Sequence, residues 1–365
     1  MRILLLADPN SAHIVKWATS LAQKNIYIAI FGLNKLEVNS YKNFKNIRVV
    51  TVDEDTKNTE ASLNKLNYLK ALPLLKKVIK NFNPNILHAH YATSYGLLGA
   101  LSNFKPFIIS VWGSDVFSFP NKTFLHKKLL EYNLKKANEI LSTSKIMAKE
   151  IKKYTNKDIK IVPFGIDLNI FKQKKINTLF SQKDIVIGTI KALEKEYGIE
   201  LLLRAFKILS DKYQDLPLKL LIVGSGSLEK ELKNLAKELN IYNKTIFSGK
   251  VSYKEVPKYH NMITIPVFMS SSESFGVAII EASACNKAVV VSDVGGLPEV
   301  VKDNITGIIV KKRELKDTVK AIEKLILDKT LREKMGKAGR ERVTKYYNWN
   351  DNIKQMINIY EELYK

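Results

Sequence analysis

The sequence predicts an α/β protein of two domains, each with a parallel sheet covered by helices on both faces. Three observations support this fold class. The chain has 365 residues, too many for one hydrophobic core. Its composition, 45% hydrophobic and 26% charged, is that of a globular protein. Short apolar runs typical of buried strands alternate with longer segments of helical periodicity, and the alternation restarts once along the chain.

The first half of the chain begins with Arg2–Ala7, a continuous apolar run that ends at the turn Asp8–Ser11. Pro73 predicts a break or kink inside a long lysine-rich helix. The predicted strands are Arg2–Ala7, Tyr27–Phe31, Ile47–Val52, Asn85–His90, Phe107–Val111 and Glu139–Thr143. The predicted helices are His13–Lys24, Leu63–Phe82, Ser94–Leu101, Leu125–Ala137 and Ile146–Tyr154.

A strand followed by a proline and glycine turn, Ile161–Phe171, precedes the polar run Lys172–Lys183, and this predicts a domain boundary. We expect domains at 1–165 and 166–345, with a helix at 346–365 that packs back on the first domain. The predicted strands of the second half are Ile185–Ile190, Leu218–Val223, Thr245–Ser248, Ile263–Val267 and Gly307–Val310. Its predicted helices are Glu200–Lys212, Leu228–Leu239, Tyr253–His260, Val277–Cys285, Glu314–Leu327, Leu331–Tyr346 and Asn350–Tyr364.

The chain is strongly basic, with a formal net charge of +23. Lysines are dense between Asn121 and Lys160, where Phe124, Leu125, Leu129, Leu130 and Tyr132 lie among the first of them. This pattern favours an anionic membrane surface as a partner over a merely solvated face. Nucleic acid is not expected, since no zinc-finger spacing, RNA-binding aromatic signature or basic arm is present.

The single cysteine, Cys285, excludes an intramolecular disulfide and a cysteine-cluster metal site, and its apolar helical setting predicts a buried structural thiol. No signal peptide and no run of about 20 apolar residues is found. We expect a cytoplasmic protein that is peripheral on the inner face of the membrane.

The most informative segment is Met269–Val301, which reads as loop, helix, buried strand and glycine turn. Gly276 allows a tight entry into the helix that begins at Val277. Amide groups at such a helix start suit a diphosphate. Glu273 lies in the entry loop and Glu281 about two turns into the helix, on its polar side, where carboxylates can accept hydrogen bonds from sugar hydroxyls. An ordinary capped helix with solvated acids is the alternative.

Three motifs occur in order in the second half. They are the loop Gly224-Ser225-Gly226, the segment Glu273-Ser274-Phe275-Gly276 with Glu281, and the turn Ser292–Glu299. The glycine loop lacks the third glycine of a dinucleotide fingerprint, because Glu229 stands there. Together the motifs resemble the retaining glycosyltransferases of family 4. The resemblance covers nearly the whole chain and implies the GT-B architecture, two Rossmann-like domains with parallel sheets facing a central cleft.

The resemblance implies that the second domain binds a nucleotide-sugar donor, commonly a UDP-sugar, which is a substrate and not a cofactor. Glu281 would hold the ribose, Glu273 would contact the donor sugar, and the backbone at Phe275, Gly276 and Val277 would meet the diphosphate. Lys191 looks like the family's Arg position and Lys195 like its Lys position, although the spacing to Gly198 is one residue longer. The alternative is that one of the two is only a surface lysine. No Asp-x-Asp pair stands beside these motifs, so no metal is expected. The implied donor-binding set is Gly224, Ser225, Gly226, Val251, Ser274, Phe275, Gly276, Val277 and Glu281.

The first domain should bind the acceptor, a glycan or a lipid-linked molecule. Trp112 stands where the family has a histidine, in the segment Trp112-Gly113-Ser114-Asp115. His90, at the end of a neighbouring strand, is the candidate to serve in its place, with a buried structural histidine as the alternative. Asp115 keeps its motif position. Ser11 and His13 are assigned to the acceptor or a phosphate. The implied catalytic set is Glu273, Lys191, Lys195, Asp115 and His90.

The predicted function is transfer of a sugar from a nucleotide donor to a hydroxyl acceptor, with retention, in surface-polysaccharide or glycolipid assembly. Two alternatives share the architecture: a sugar-nucleotide epimerase or glycogen-synthase-like enzyme, and a non-catalytic scaffold. Replacement of the family histidine by Trp112 favours the scaffold, whereas the presence of both Glu273 and Glu281 opposes it.

Overall fold

The computed structural model describes residues 1–52 and 69–364. They form two compact units. The first runs from Met1 to Pro163 and resumes at Asp351, and the second is Phe164–Asn350. Each unit has its own parallel sheet. The predicted α/β fold class is therefore confirmed.

In unit 1 the inner strands β1, β4 and β5 are almost fully buried, as expected of a parallel sheet that is covered on both faces. The strand order is β3-β2-β1-β4-β5-β6-β7, which reverses between β1 and β4. The strands are β1 Arg2–Leu6, β2 Tyr27–Gly32, β3 Ile47–Thr51, β4 Ile86–His90, β5 Phe107–Val111, β6 Glu139–Ser142 and β7 Ile159–Ile161. The helices are α1 Ala12–Ala22, α2 Leu72–Phe82, α3 Ser94–Ser102, α4 Ser114–Phe117, α5 Phe124–Lys136 and α6 Lys145–Ile151.

In unit 2 the strand order is β10-β9-β8-β11-β12-β13, with the reversal between β8 and β11. The strands are β8 Ile185–Ile190, β9 Leu218–Val223, β10 Thr245–Gly249, β11 Ile265–Phe268, β12 Val289–Ser292 and β13 Gly307–Val310. The helices are α7 Ile199–Lys212, α8 Glu229–Glu238, α9 Val256–Met262, α10 Val277–Ala284, α11 Leu297–Val300, α12 Leu315–Leu327, α13 Lys329–Tyr346 and α14 Trp349–Tyr364.

The last helix, α14, begins in unit 2 and continues into unit 1 from Asp351. Within unit 1 its Tyr360 is fully buried, and the Tyr360 hydroxyl lies 2.7 Å from Nδ1 of His88 on β4. Its Asn352 side chain donates to the carbonyl oxygen of Pro163. These contacts fix the C-terminal helix to the sheet of unit 1.

The structure corrects some predicted elements. Pro73 does not kink a helix, because α2 begins at Leu72 and Pro73 occupies its first turn, where a missing amide costs nothing. The part of that predicted helix at 63–68 lies outside the described residues. The strand expected to begin at Ile161 ends there as β7. The short helices α4 and α11 follow glycines and are too brief to show periodicity.

Cys285 ends α10 and is fully buried, as predicted, and burial raises the pKa of its thiol to about 12. Asn261 donates a weak hydrogen bond to its sulfur. A thiol held protonated in the core is a poor nucleophile. Within residues 1–52 and 69–364, no helix is long and apolar enough to cross a membrane.

Candidate functional site

The chemistry-bearing loops of unit 2 leave the carboxyl ends of its strands. Strands β8 and β11 are neighbours, and the chain runs from them to opposite sides of the sheet, which opens a crevice between their loops. Lys191 follows β8 directly, Gly224 follows β9 directly, and Glu273 follows β11 by five residues. The predicted donor residues therefore lie at the sheet edge where ligands of such folds bind.

Lys191 and Glu273 form an ion pair, in which the Lys191 ammonium donates to Oε2 of Glu273. Their side chains are only 13% and 14% exposed. The Lys191 ammonium also lies 4.6 Å from the ring centroid of Tyr197, a cation–π contact. The two residues that were separately assigned to diphosphate and donor sugar are thus in direct contact.

Glycines bring the loop of Glu273 against the turn after β12. The amide of Gly296 donates to the Glu273 carbonyl oxygen at 3.0 Å. Gly295 has φ +50, and a Cβ there would lie 1.8 Å from that same oxygen. Gly224, with φ +138, lies equally close to the loop of Lys191, since its Cβ would lie 1.9 Å from the Lys191 carbonyl oxygen. The glycine motifs thus permit the close approach of backbone that assembles the site.

The loop Gly224-Ser225-Gly226 packs on the segment that follows Lys191. The Ser225 carbonyl accepts from the Leu193 amide at 3.0 Å, and the Ser227 amide donates to Oε1 of Glu194 at 2.8 Å. A Cβ at Gly226 would lie 2.5 Å from the Leu193 carbonyl oxygen. Val251, beyond β10, is half-buried against a hydrophobic cluster below the loop.

The surroundings of Lys195 differ from those of Lys191. It is exposed and lines a cavity of about 330 Å³ at the start of α7, together with Arg204 and Arg313. Lys191 directly follows β8, whereas Lys195 begins a 3-10 helix, Lys195–Tyr197, and this difference in local structure is not visible in the spacing of the two lysines. Of the two predicted phosphate lysines, the structure puts Lys191 in contact with Glu273.

The helix α10 begins as predicted. Gly276 precedes it with φ +100, and a Cβ there would lie 2.7 Å from Cδ2 of Leu297. The Phe275 ring is buried between Phe164 and Tyr347, at centroid distances of 5.7 and 5.6 Å. The side chain of Phe275 is therefore core, and its backbone, with Ser274 and Val277, forms the helix entry.

Glu281 is not on a polar face, which corrects the expectation from the helical pattern. Its side chain is 7% exposed, and Oε2 lies 3.3 Å from Nε2 of the fully buried His260 on α9. The hydroxyl of Tyr253 also interacts with this carboxylate; burial first, and then the charge of Glu281, raises the pKa of Tyr253. Neither His260 nor Tyr253 stands out in the sequence, since their pairing with Glu281 depends on helix packing.

In unit 1 the structure brings together three predicted site residues, which lie in the first turn of α1, at the end of β4 and directly after β5. Trp112 is half-buried, and its ring lies 4.9 Å from the His90 ring and 5.7 Å from the His13 ring, between centroids. Tyr91, which was not predicted, lies 5.7 Å from Trp112 and has φ +81. A bulky residue in the left-handed region is strained, and such strain clusters at functional sites.

His90 lies beneath Trp112 and is 2% exposed. Neither of its ring nitrogens has a hydrogen-bond partner among the described residues. Its ring stacks on His88 at 4.2 Å, and burial lowers the pKa of His90 to about 3. His88 is held by Tyr360 and by Ser110, whose Oγ lies 2.8 Å from Nε2. His90 is therefore neutral at physiological pH.

Asp115 is buried and its carboxylate joins two loops. It accepts from the amides of Ala92 at 2.9 Å, Gly113 at 2.8 Å and Trp112 at 3.3 Å. Burial raises the pKa of Asp115, although these amide bonds oppose the rise. Gly113 has φ +144 and Ser114 opens α4. The contacts of Asp115 position Trp112.

Ser11 precedes α1 without a side-chain cap, and its amide donates to the Asp8 carbonyl oxygen at 3.2 Å. Among residues 1–52 and 69–364, no group of three or more His, Cys, Asp or Glu side chains is arranged to hold a metal ion.

Two family models match the chain. "Glycosyl transferase 4-like" covers residues 2–144, and "Glycosyl transferases group 1" covers residues 170–342. A curated relative, an uncharacterized glycosyltransferase of Methanocaldococcus jannaschii, is 26% identical over 93% of this chain and 91% of its own.

Two solved structures share the fold. The sucrose-phosphate synthase from Thermosynechococcus elongatus is 20% identical with a TM-score of 0.83, over 100% of this chain and 99% of its own. Anabaena HepE in complex with UDP-glucose is 16% identical with a TM-score of 0.78, over 100% of both chains. The sheets of both units, the motifs of unit 2 and these matches agree: the chain is a glycosyltransferase of GT-B fold and belongs to family 4.

Proposed function

We propose that this enzyme transfers a sugar, with retention of configuration, from a UDP-sugar or another ribonucleoside diphosphate sugar to a hydroxyl acceptor. The observation that carries the proposal is the Lys191–Glu273 ion pair at the strand reversal of unit 2. The pair places one cation and one carboxylate at the entry to α10. The cation suits the negative diphosphate of the donor, and the carboxylate can accept hydrogen bonds from the hydroxyls of the sugar. HepE, of the same fold, was solved with UDP-glucose.

The donor diphosphate is expected to compete with Glu273 for Lys191. The phosphate oxygens take the Lys191 ammonium and the amides at the start of α10, since a helix N-terminus favours anions. Glu273 is then free to accept hydrogen bonds from donor-sugar hydroxyls. Donor binding thus replaces the Lys191–Glu273 ion pair by a contact of each residue with the donor.

Transfer on this scheme needs no further reactant. The bond from the sugar anomeric carbon to the diphosphate oxygen breaks, and the acceptor oxygen bonds to that carbon from the same face. The acceptor proton passes to the leaving diphosphate, whose charge Lys191 offsets. Trp112 and His13 form the acceptor side in unit 1, where Asp115 fixes the Trp112 loop and His90 supports its ring.

The test is turnover of a panel of nucleotide sugars, with products analysed by NMR for anomeric configuration. A single transfer with retained α configuration supports the proposal; an epimer or a polymer favours the enzymes of the same architecture named above. Glu273→Gln and Glu281→Gln are expected to lose most donor turnover. Lys207→Gln, on the exposed face of α7, is the matched control. Unchanged turnover in both glutamine variants would contradict the donor-site assignment.

We also propose that unit 1 binds an anionic membrane surface, which brings the enzyme to a lipid-linked acceptor in surface-polysaccharide or glycolipid assembly. Phe124 and Leu125 begin α5 and are 70% and 76% exposed. Leu130 is buried and belongs to the core, so the interfacial apolar residues are fewer than the sequence predicts. The exposed lysines around them are Lys122, Lys127, Lys128, Lys135, Lys136, Lys145, Lys149, Lys152 and Lys153.

Two further lysines of the cluster are tied to the protein. Lys157 donates to the Lys135 carbonyl oxygen at 2.7 Å, and Lys160 pairs with Glu362 at 2.7 Å. We expect the whole chain to co-sediment with vesicles containing anionic phospholipid at low salt and to release at high salt. The double variant Phe124→Ser, Leu125→Ser should bind more weakly. Leu327→Ser, 60% exposed in unit 2 of the wild type, is the control. No binding to anionic vesicles at low salt would overturn the membrane proposal alone.

A further inference from the structure

The imidazole of His260 is buried against the carboxylate of Glu281. His260 is 0% exposed, and Nε2 lies 3.3 Å from Oε2 of Glu281. The other ring nitrogen, Nδ1, has no hydrogen-bond partner among the residues that the structure describes. A buried polar ring with one nitrogen unpartnered costs free energy. The contact of Nε2 with Glu281 offsets part of that cost and accounts for the place of His260 in the core.

The ring of His260 packs beside aromatic side chains. It lies near the end of α9, and its ring is 6.2 Å from the ring of the fully buried Phe171, between centroids. Phe171 also contacts Tyr253 at 5.7 Å. The apolar surroundings therefore hold both groups that face the Glu281 carboxylate, one from α9 and one from the loop before it.

The geometry selects the tautomer. With Nε2 protonated, the ring donates to the carboxylate and Nδ1 is a bare acceptor. With Nδ1 protonated instead, the Nε2 lone pair would face the carboxylate oxygen and the Nδ1 N–H would be buried without a partner. The first arrangement avoids both penalties.

We propose that His260 is a positioning residue for the donor: with the Tyr253 hydroxyl on the same carboxylate, it anchors Glu281 through Oε2 in the orientation that receives the ribose hydroxyls. This inference rests on the proposed function, in which Glu281 binds the ribose. It deepens that function by naming the residue that holds the Glu281 carboxylate in the orientation in which it recognises a ribonucleotide through its hydroxyls. A deoxyribonucleotide lacks one of the hydroxyls that would donate to this carboxylate.

The experiment measures binding of UDP, GDP and ADP, and of their 2′-deoxy and 3′-deoxy forms, to the whole chain by calorimetry. The readout is the ratio of dissociation constants, deoxy to ribo, for the nucleotide that the wild type binds most tightly. Since this ratio is taken within one variant, a change in folded fraction cancels. We expect a ratio of roughly ten to a hundred for at least one deoxy form in the wild type.

In His260→Leu the ratio should fall to about one to three, because the carboxylate loses its anchor while the nucleotide keeps its other contacts. His260→Gln supplies an amide N–H that can donate to Oε2 and should restore most of the ratio. His126→Leu, the same substitution in α5 of unit 1, should leave the ratio at its wild-type value. A merely structural histidine would lower stability without changing the ratio.

The outcomes separate the inference from the function beneath it. A wild-type ratio that persists in His260→Leu overturns the positioning role alone. A wild type that binds a nucleotide with no preference for ribose, or binds none of the three, overturns the ribose assignment of Glu281 as well. Loss of the ratio in both Leu and Gln variants, with each folded by circular dichroism, also overturns the anchoring hydrogen bond.

Discussion

Lys191 and Glu273, which follow two adjacent strands of the second sheet, form an ion pair across the point where the strand order reverses. Each side chain is more than four-fifths buried, so neither charge is well solvated when alone. The pair therefore links the stability of unit 2 to the two residues that the donor is proposed to engage.

Removing one member of this pair should destabilise the protein more than removing both. Lys191→Met or Glu273→Gln leaves one charge without its partner in a mostly buried position, which costs about 3 kcal/mol. The double variant removes both charges and should cost clearly less than the sum of the two single changes. Denaturant unfolding of the four proteins gives the coupling energy. As a control, the pair Lys207–Asp211 on α7, whose side chains are 31% and 58% exposed, should show coupling of at most about 0.5 kcal/mol. Strict additivity at the Lys191–Glu273 pair would contradict the prediction.

The turn after β12 should tolerate no side chain at Gly295. A Cβ there would lie 1.8 Å from the Glu273 carbonyl oxygen, and φ is +50. Gly295→Ala must therefore displace the loop of Glu273, with an expected loss of about 2–4 kcal/mol and of donor turnover. Gly249→Ala is a matched control, since it has φ +70 but nothing within 4 Å of the added Cβ. It should cost only the backbone penalty, about 1 kcal/mol. Equal losses in the two variants would show that the close contact is unimportant.

The order of strands and helices could be predicted because buried parallel strands are written as apolar runs such as Ile185–Ile190 and Leu218–Val223, which the structure keeps residue for residue. The tight loops of the site could also be predicted from their glycines, since Gly276 and Gly295 occupy backbone conformations that other residues rarely adopt. Short helices could not be predicted, because four residues such as Ser114–Phe117 are a single turn with no period.

The sequence does not predict which side chains contact one another in the site. The helical pattern put Glu281 on a polar face, yet the helix packs so that this carboxylate meets His260 from α9. The pairing of Lys191 with Glu273 joins residues 82 positions apart, and no local spacing encodes it. The strain at Tyr91 likewise follows from how the loop after β4 meets the Ser110 carbonyl oxygen, 2.9 Å from the Tyr91 amide.

The charged side chain of Lys287, after α10, should lower the free energy of unfolding, and this loss should disappear at alkaline pH. Burial lowers the pKa of its ammonium to about 8, and Nζ donates to the Asn261 carbonyl oxygen at 3.2 Å. Because the unfolded lysine keeps its usual pKa near 10.5, the cost is present in full below pH 8 and disappears as pH rises to about 10.5. Lys287→Met should therefore raise the free energy of unfolding by about 1–3 kcal/mol at pH 7, and the gain should shrink above pH 8.

Lys258→Met, at an exposed lysine on α9, is the control and should change the free energy of unfolding by at most about 0.5 kcal/mol. A gain that is constant to pH 10.5 would contradict the assignment.

His90 should make unit 1 sensitive to acid. Burial, with a smaller contribution from His13, lowers the pKa of the His90 imidazole to about 3, whereas the unfolded histidine titrates near 6.5. Between these values the unfolded chain binds a proton that the folded chain does not, so stability falls as pH drops from 6.5 toward 3.

His90→Phe keeps a ring in the stack with His88 and Trp112 but removes the titration. The free energy of unfolding of the wild type should therefore fall by about 2 kcal/mol more than that of the variant between pH 6.5 and 4.5, as measured by denaturant titration at each pH. His88, whose pKa is also lowered by burial, remains in both proteins and contributes equally to first order. Parallel stability curves for the two proteins would mean that His90 is protonated in the folded state at mildly acidic pH, in conflict with its burial.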